Sequence, residues 1–402
     1  MTADLPGSYV RLGLAFDRLA RGFVDAWTGP AAVRAQVESG PAPSPSALAA
    51  RARELLAELP SAGLAPERAA FLAGQLTGLE MSGRVLAGEP VPYLASVRAW
   101  FQVEPVMGDP STYDPAHRAL DDLLPGNGPL LERYTAYRDR ACVPPERLPE
   151  AVRAWSSLLR ERTRAVFPLP DEEEVAYEVV TDRPWAGFNY YEGRFSSTVA
   201  INTDLPVGLG ALPALVAHES YPGHHTERCR KQARLTALPE LDLWLVNTPE
   251  NVLAEGLADL GLTGLGLDEW GPVATELYAD LGIAYDGERG QQIACAAAAL
   301  GAVRQDAALL LHDRNRSHEE VAAYLSRWAL LSPARAGKTL AFLTDPLWRA
   351  YITTYVEGER LLRAWLAAGE AGPRFGRLLD EQLTPAALRA SLPAVAFALH
   401  LG

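Results

Sequence analysis

Cysteine is scarce in this chain, whose 402 residues include three: Cys142, Cys229 and Cys295. They are far apart and form no Cys-x-x-Cys pair, which argues against a disulfide framework and against a cysteine-ligated zinc site. Isolated thiols of this kind are typical of a reducing compartment, where each is expected to be buried as a small hydrophobic side chain. The cysteines therefore predict a cytoplasmic protein.

Lysine is scarcer still. Only Lys231 and Lys338 accompany the arginines, and acidic residues outnumber basic ones to give a net charge of −13. Proteins that bind nucleic acid concentrate positive charge in a patch or stripe that contacts the phosphate backbone. The sequence shows no such stripe, so we expect no nucleic-acid partner.

A long hydrophobic run is also missing. The longest small apolar stretch, IACAAAALGAV at 293–303, is shorter than the ~20 residues that span a bilayer and predicts a buried helix. The chain begins MTADLPGSYVRLG, without the basic start and apolar core of a signal peptide. We therefore expect no membrane segment and a cytoplasmic location.

Helical periodicity dominates what is present, with apolar residues recurring every three or four positions. It predicts helices over 45–59, 66–88, 148–167 and 385–399. Pro45 and Pro66 stand where helices prefer to begin, and Gly88 stands where they prefer to end.

The pattern changes at about residue 172. Aromatic and β-branched residues then predict a small sheet whose last strand is STVAIN at 197–202. Helical patterns return after it, which predicts a mainly α fold with two helical lobes around a cleft and a small β-sheet beside the active-site helix. Residues 1–170 would form the N-terminal lobe and 171–402 the catalytic part, in one continuous fold without a linker.

The stretch VAHESYPGHH at 216–225 holds three of the seven histidines. It opens like the His-Glu-x-x-His motif of zinc peptidases, in which two histidines on one helix face bind the metal. Pro222 stands in the second histidine's place and lacks the amide that would bond to His218, so a kink or bulge is expected. A bulge of two residues would bring His224 to the metal, with His225 as the alternative.

A third ligand is expected further along the chain. NVLAEGLADLGL at 251–262 offers Glu255, with Asp259 one turn later on the same face. Two histidines and a carboxylate form the ligand set of one major class of zinc hydrolases. Asp259 would hold a ligating histidine by its outer nitrogen, and Glu219, adjacent to His218, would be the general base.

These motifs, HESYPGHH followed by AEGLADL, resemble the bacterial domain-of-unknown-function family 885. Its members carry His-Glu-x-x-Pro-Gly-His-His and then a Glu-Gly-Trp-Ala-like helix, and the family is similar to the gluzincin metallopeptidases. Downstream, RQDAALLLH places Arg304 and His312 in positions that match a family helix, and YVEGERLLR does so for Tyr355, Gly358 and Arg363. The resemblance implies a helical, cleft-bearing zinc peptidase.

The resulting hypothesis is hydrolysis of a peptide or small amide by metal-activated water. Glu219 would take the water's proton and pass it to the leaving amine. Tyr355 would donate a hydrogen bond to the oxyanion that forms on the substrate. His312 is a candidate second donor, or else a histidine satisfied within the core.

Substrate recognition has two candidates in the sequence. Arg327, Arg360 and Arg363 are candidates for gripping a substrate carboxylate in a bidentate manner, or else surface ion-pair residues. The STVAIN strand would bind an extended peptide if it lies at a sheet edge, and is otherwise an ordinary core strand.

Two other functions stay open. The site would serve equally for a non-peptide amide in a specialised pathway, because fold and metal do not fix the substrate. Alternatively, the chain is a non-catalytic helical binding protein that retains a metal site. The intact Glu219 favours an enzyme, since a purely structural zinc site needs no base.

Overall fold

The computed structural model describes residues 4–183 and 185–393. Helices hold 62% of the protein and strands 8%, which confirms the predicted mainly α fold with a small sheet. The helices before the sheet are α1 (Leu5–Asp17), α2 (Ala31–Ser39), α3 (Pro45–Glu58), α4 (Pro66–Leu86), α5 (Tyr93–Phe101), α6 (Asp114–Leu123), α7 (Leu130–Arg140) and α8 (Leu148–Val166).

The strands are β1 (Val24–Trp27), β2 (Glu174–Val180), β3 (Gly187–Gly193), β4 (Ser196–Asn202) and β5 (Leu243–Leu245). The helices after the sheet are α9 (Leu212–Glu219), α10 (His224–Arg234), α11 (Pro249–Asp259), α12 (Gly261–Gly264), α13 (Gly271–Asp280), α14 (Gly287–Ala298), α15 (Val303–His312), α16 (His318–Trp328), α17 (Pro333–Thr344), α18 (Ile352–Ala367), α19 (Ala371–Asp380) and α20 (Pro385–Ala390).

Three of the four predicted helices have the expected bounds within two residues, as α3, α4 and α8. The prolines explain their starts: Pro45 occupies the first turn of α3, and the side chain of Ser44 caps it by accepting from the amide of Ala47. The prediction for 385–399 is wrong in length, because α20 already ends at Ala390. Residues 394–399 of that prediction lie outside the described part of the chain.

The three-stranded sheet has the order β2-β4-β3, with β4 parallel to β2 and antiparallel to β3. STVAIN is therefore a strand as predicted. Of the two roles left open for it, the structure confirms the ordinary core strand and excludes the peptide-binding edge, because both of its sides are already hydrogen-bonded. Val199, Ala200 and Ile201 are buried in it. An added peptide strand would have to pair with an outer strand.

A second, two-stranded sheet joins distant parts of the chain. β1 pairs antiparallel with β5, with Val24 opposite Leu245 and Trp27 opposite Leu243. Leu243 and Leu245 share one hydrophobic core with residues of α1, α3 and α4, such as Tyr9. Because β5 leads directly into α11, the first helices of the chain support the helix that carries Glu255.

Helices α11 and α18 cross at two facing glycines. A Cβ on Gly256 would lie 2.5 Å from the carbonyl carbon of Gly358, and a Cβ on Gly358 would lie 3.1 Å from the amide nitrogen of Gly256. Only the absence of both side chains allows the two backbones to approach this closely. The crossing fixes the spacing between Glu255 on α11 and Tyr355 on α18.

Replacing Gly358 with alanine should therefore lower the free energy of unfolding by about 1–3 kcal/mol, because the new methyl group has backbone atoms for neighbours and nowhere to move. Gly337→Ala is the matched control, since a Cβ on that helical glycine meets no atom within 4 Å. Chemical denaturation should find the control as stable as the wild type or slightly more so. Equal stability of the two variants would contradict a tight crossing.

One segment, Gly287–His312, is long and apolar enough to cross a membrane by length and composition alone, in contrast to the expectation of no membrane segment. In the fold it is divided between α14, with 12 residues, and α15, with 10, each shorter than a membrane span of ~20 residues. Ile293, Leu300 and Val303 from this segment pack in the largest core. The segment therefore consists of two short helices joined by a turn, and each helix contributes residues to that core.

The expectation of a buried helix over 293–303 is wrong, because α14 ends at Ala298 within that stretch and Cys295 is exposed. The cysteines also differ from one another: Cys229 is buried as expected, whereas Cys142 is half-buried. All three are free thiols.

Candidate metal centre

The two histidine-bearing helices meet at a break and not at a bulge. α9 ends at Glu219 and α10 begins at His224, so the expected single distorted helix is wrong. Gly223 passes so close to the end of α9 that a Cβ on it would lie 2.5 Å from the carbonyl oxygen of Ala217, an approach that only glycine allows. The break brings the first residue of α10 beside the last turn of α9.

Three potential ligands converge at this break. One ligand atom each of His218, His224 and Glu255 lies within 4.8 Å of the others. The Nε2 atoms of His218 and His224 are 3.2 Å and 3.8 Å from the same carboxylate oxygen, Oε2 of Glu255. The two imidazole rings stand edge to face with centroids 4.7 Å apart. We call these three residues the ligand cluster.

The ligand cluster fits a divalent metal ion. Oε2 of Glu255 is buried and has no hydrogen-bond partner among the described residues, although two ring nitrogens face it. A buried carboxylate oxygen without a partner is costly unless a cation compensates its charge. Two imidazole nitrogens and one carboxylate oxygen are ligands that zinc prefers, and three protein ligands leave a position open for water.

Two further side chains hold the ligands in place. Nδ1 of His218 lies 2.9 Å from Oδ1 of Asp259, the contact expected of a group that orients a ligating histidine. The hydroxyl of Tyr351 donates to Oε1 of Glu255 at 2.7 Å, which leaves Oε2 free to face the histidines. No sequence motif pointed to Tyr351, although it lies four residues before Tyr355 at the start of α18, a spacing that places both on one helix face.

Burial and nearby charges shift the pKa values of His218 and His224 in opposite directions. Burial opposes a charge on His218, but the carboxylates of Asp259 and Glu255 beside it raise its pKa well above the usual value. Burial lowers the pKa of His224 to about 3, and the nearby Glu255 only partly offsets this effect. His224 is therefore a neutral imidazole, the form in which histidine binds a metal.

Glu219 is buried beside the ligand cluster and makes no ion pair among the described residues. Burial raises its pKa to about 7, although His218 lowers it. A Cβ on Gly187 in β3 would lie 2.9 Å from Oε1 of Glu219, so the strand passes directly against this carboxylate. The side-chain amide of Asn189, on the same strand, donates a hydrogen bond to the backbone oxygen of Glu219 at 2.7 Å.

Tyr355 lies beside the ligand cluster, with the centroid of its ring 6.3 Å from that of the His218 ring. Burial raises the pKa of its hydroxyl well above the usual value, as do the nearby carboxylates of Glu255 and Asp259. Asp25 in β1 approaches from another side: burial raises its pKa to about 6, against the effect of Arg228, and Glu255 raises it further. No sequence signal pointed to Asp25, because only the pairing of β1 with β5 brings it here.

His225 does not belong to the ligand cluster. Its Nδ1 lies 2.8 Å from Oγ of Ser197, its Nε2 lies 3.1 Å from Oε2 of Glu173, and its side chain is fully buried. Glu173 also accepts from Tyr221 at 2.6 Å and from Arg160 at 2.7 Å. His225 thus joins α10 to the sheet and to the segment before β2, and its neighbour His224 is the histidine that faces Glu255.

The network around Glu173 predicts acid sensitivity. Burial alone would raise its pKa, but hydrogen bonds from His225, Tyr221, Arg160 and Arg164 lower it from 4.5 to about 2. Because the folded-state pKa is depressed, this stabilisation is fully present above about pH 4.5 and is lost as the pH falls through about 2.

Glu173→Gln should therefore cost about 3 kcal/mol of unfolding free energy at neutral pH and should flatten the pH dependence of stability between about 4.5 and 2. Glu172→Gln, which changes the adjacent exposed carboxylate, should change neither. Urea denaturation of both variants at a series of pH values measures the effect. An unchanged acid limb in Glu173→Gln would contradict this assignment.

Several predicted site residues lie away from the ligand cluster. Nε2 of His312 lies 2.7 Å from the carbonyl oxygen of Leu343, and its ring stacks on that of Tyr93, so it is a satisfied core histidine. Arg363 pairs with Glu359 at 2.7 Å and is half exposed.

The other two arginines with predicted substrate roles also have local partners: Arg360 pairs with Glu357 at 2.9 Å, and the guanidinium of Arg327 lies 4.7 Å from the ring centroid of Trp328. A surface cavity of about 430 Å³ borders Arg363, but none of its lining residues belongs to the ligand cluster.

The chain matches no protein-family model and no curated protein. Its fold is similar to two solved structures. One is a candidate lipoprotein from Colwellia psychrerythraea, 16% identical, with a TM-score of 0.52 over 89% of this chain and 67% of that one. The other is a candidate lipoprotein of unknown function from Shewanella oneidensis, 13% identical, with a TM-score of 0.52 over 96% of this chain and 82% of that one. At these identities the similarity shows the fold alone.

Proposed function

We propose that this protein is a zinc-dependent hydrolase that cleaves peptide or related amide bonds. The observation that carries the proposal is the convergence of His218, His224 and Glu255 on one point, with the buried carboxylate of Glu219 beside them. A structural zinc site would use a fourth protein ligand, and a base next to it would have no purpose.

The three ligands would hold the ion, with Asp259 and Tyr351 fixing the orientation of His218 and Glu255. A zinc ion bound there would supply Lewis-acid activation of water and of the substrate carbonyl. A metal ion competes with the proton for an imidazole nitrogen, and the carboxylates of Asp259 and Glu255 raise the pKa of His218, so metal binding should weaken as the pH falls.

Glu219 is the proposed general base. Its pKa of about 7 lies near the operating pH, where a carboxylate can accept a proton from the attacking water and then return it to the nitrogen of the leaving amine. The closeness of β3 and the surrounding protein keep this carboxylate poorly solvated, which is the reason for its raised pKa.

Tyr355 is the proposed donor to the developing oxyanion. Its raised pKa keeps the hydroxyl protonated, so that it can donate a hydrogen bond. Its position on α18 relative to Glu255 depends on the crossing of Gly256 and Gly358.

A peptide is favoured as substrate by the edge of β3. In the described part of the chain β3 pairs only with β4, which leaves its other side for an added strand. Gly187, at the start of β3, lies against Glu219, so a peptide paired there would run past the general base.

Metal analysis tests the proposal. The purified protein should contain about one zinc ion per chain, and a mixed peptide library incubated with it should yield cleavage products by mass spectrometry. Removal of the metal with a chelator should stop cleavage, and added zinc should restore it. Cleavage that continues in metal-free protein would refute the proposal.

A further inference from the structure

Three aromatic side chains follow one another along the first half of β3 and the residues just before it. The ring centroid of Phe188 lies 5.3 Å from that of Trp185 and 4.7 Å from that of Tyr190. Tyr190 is 40% exposed, and the other two side chains are half-buried. We call these three residues the aromatic row. Neighbouring apolar rings that stay open to water indicate a surface that contacts another molecule.

The side chains of β3 alternate between the two faces of the sheet. Asn189 faces α9, because its side-chain amide donates to the backbone oxygen of Glu219. Gly187 has the same orientation, since a Cβ on it would lie 2.9 Å from Oε1 of Glu219. Phe188 and Tyr190 therefore stand on the opposite, outer face. The strand has the proposed general base on one face and the aromatic row on the other.

The backbone groups on the unpaired side of β3 belong to the residues between those of the aromatic row. The amide of Asn202 in β4 donates to the carbonyl oxygen of Ala186, which the register places opposite it, at 2.8 Å. Such hydrogen-bonded pairs recur at every second residue of antiparallel strands, so both residues of the row within β3 also turn their backbone to β4. The amides and carbonyls of Gly187 and Asn189 therefore point to the unpaired side, where a peptide could bond to them.

The far end of β3 has a neighbour already. A Cβ on Gly193 would lie 3.3 Å from Cβ of Thr28, the residue that follows β1. Another part of the chain thus lies beside this end of the strand. An added strand is therefore expected along the half of β3 that begins at Gly187, where Glu219 lies.

We propose that the aromatic row selects peptide substrates in which two large apolar side chains, such as Phe, are separated by one residue. A peptide that adds to β3 extends the sheet, so every second side chain stands on the outer face beside Phe188 or Tyr190. Because Gly187 lies against Glu219, the cleaved bond is expected beside the peptide residue opposite Gly187. The two apolar residues then lie one and three positions from that residue, on one side of the bond.

This inference rests on the proposed hydrolase function and adds a substrate class to it. Its physical basis is contact between aromatic rings and apolar side chains, which is worth more than the burial of the same surface alone. The alternation of side chains along a strand makes the spacing, and not only the composition, the property that is recognised.

Heptapeptides of Ser and Thr that carry two Phe residues test the spacing. In one peptide the two Phe are separated by one residue, and in its isomer of equal composition they are adjacent. The wild type should cleave the first with a kcat/KM about 5- to 20-fold higher, because adjacent side chains lie on opposite faces of a strand and only one of them can meet the row. Mass spectrometry of the products should place both Phe on the same side of the cleaved bond.

Tyr190→Thr and Phe188→Val each remove one ring and keep a residue suited to a strand. Tyr190 is exposed, so its replacement should leave the fold intact. Each variant should reduce the preference between the isomers to less than about threefold. Val179→Thr alters an exposed apolar residue on β2, the other outer strand, and is the matched control that should retain the preference. Equal cleavage of both isomers by the wild type, or a preference that survives in the Phe188→Val/Tyr190→Thr double variant, would overturn the proposal.

A binding measurement separates this inference from the hydrolase function. By calorimetry, Glu219→Gln protein should bind the peptide with separated Phe residues about 5- to 20-fold more tightly than its isomer, and adding Tyr190→Thr should remove most of this difference. If the wild type hydrolyses neither peptide but the binding difference appears, the hydrolase proposal fails and the aromatic row stands as a peptide site. If peptides are hydrolysed without any difference in rate or binding, the aromatic row fails alone.

Discussion

Replacing Glu219 with glutamine should reduce peptide hydrolysis by about 10²- to 10⁴-fold, the contribution of a positioned general base. Glutamine has nearly the same shape but cannot accept the proton of the attacking water. The ligand cluster does not include Glu219, so the zinc content should remain at about one per chain. The measurement is kcat/KM on a cleaved library peptide together with metal analysis of the same sample.

Glu178→Gln provides the control, because Glu178 is an exposed glutamate on β2. It should match the wild type in rate, metal content and stability. Glu219→Gln should unfold no earlier than the wild type, since it removes a buried carboxylate that has no ion-pair partner among the described residues. If Glu219→Gln keeps full activity with its zinc, another group is the base.

Replacing each of the two neighbouring histidines with alanine should affect a different property, zinc affinity in one case and stability in the other. His224→Ala removes a ligand and should weaken zinc binding by at least about 10²-fold, with little change in the stability of the metal-free protein. His225→Ala should keep the zinc affinity within about tenfold and lower the unfolding free energy by about 2–4 kcal/mol. The second loss arises because Ser197 and Glu173 each lose a buried hydrogen-bond partner.

Competition with a zinc-binding dye gives the affinities, and chemical denaturation of chelator-treated protein gives the stabilities. The two variants control for each other, since they remove the same side chain at adjacent positions on α10. Zinc binding that is lost in His225→Ala and kept in His224→Ala would show that the ligand cluster is wrongly assigned.

Local sequence signals predicted the helices well. Proline at the first turn and apolar spacing located α3, α4 and α8, because these signals act within a few residues. The sequence could not predict the strand order. β2 pairs in parallel with β4, although β3 lies between them in the sequence, and this pairing is decided by packing between distant parts of the chain. For this reason the sequence left open whether STVAIN forms an edge strand or a core strand.

The residues of the candidate site likewise divide into those that local motifs predicted and those that only the folded chain brings together. The His-Glu pair and the later Glu-Gly motif named His218, Glu219 and Glu255, and helical spacing added Asp259. The choice between His224 and His225 depended on how the chain breaks between α9 and α10, which the sequence could not decide. The sequence could not point to Asp25, because its place near the ligand cluster depends on a strand pairing between residues about 220 apart.

That pairing also constrains how the protein is made. β1 leaves the ribosome about 220 residues before β5. The edge of β1 and the apolar faces of α1, α3 and α4 therefore remain uncovered by β5 during most of synthesis. An unpaired strand edge is a site for unwanted association until it is covered. We infer that the N-terminal helices stay only partly ordered on the nascent chain. These helices reach their final packing, and α11 reaches its final position against them, only after translation has passed Leu245.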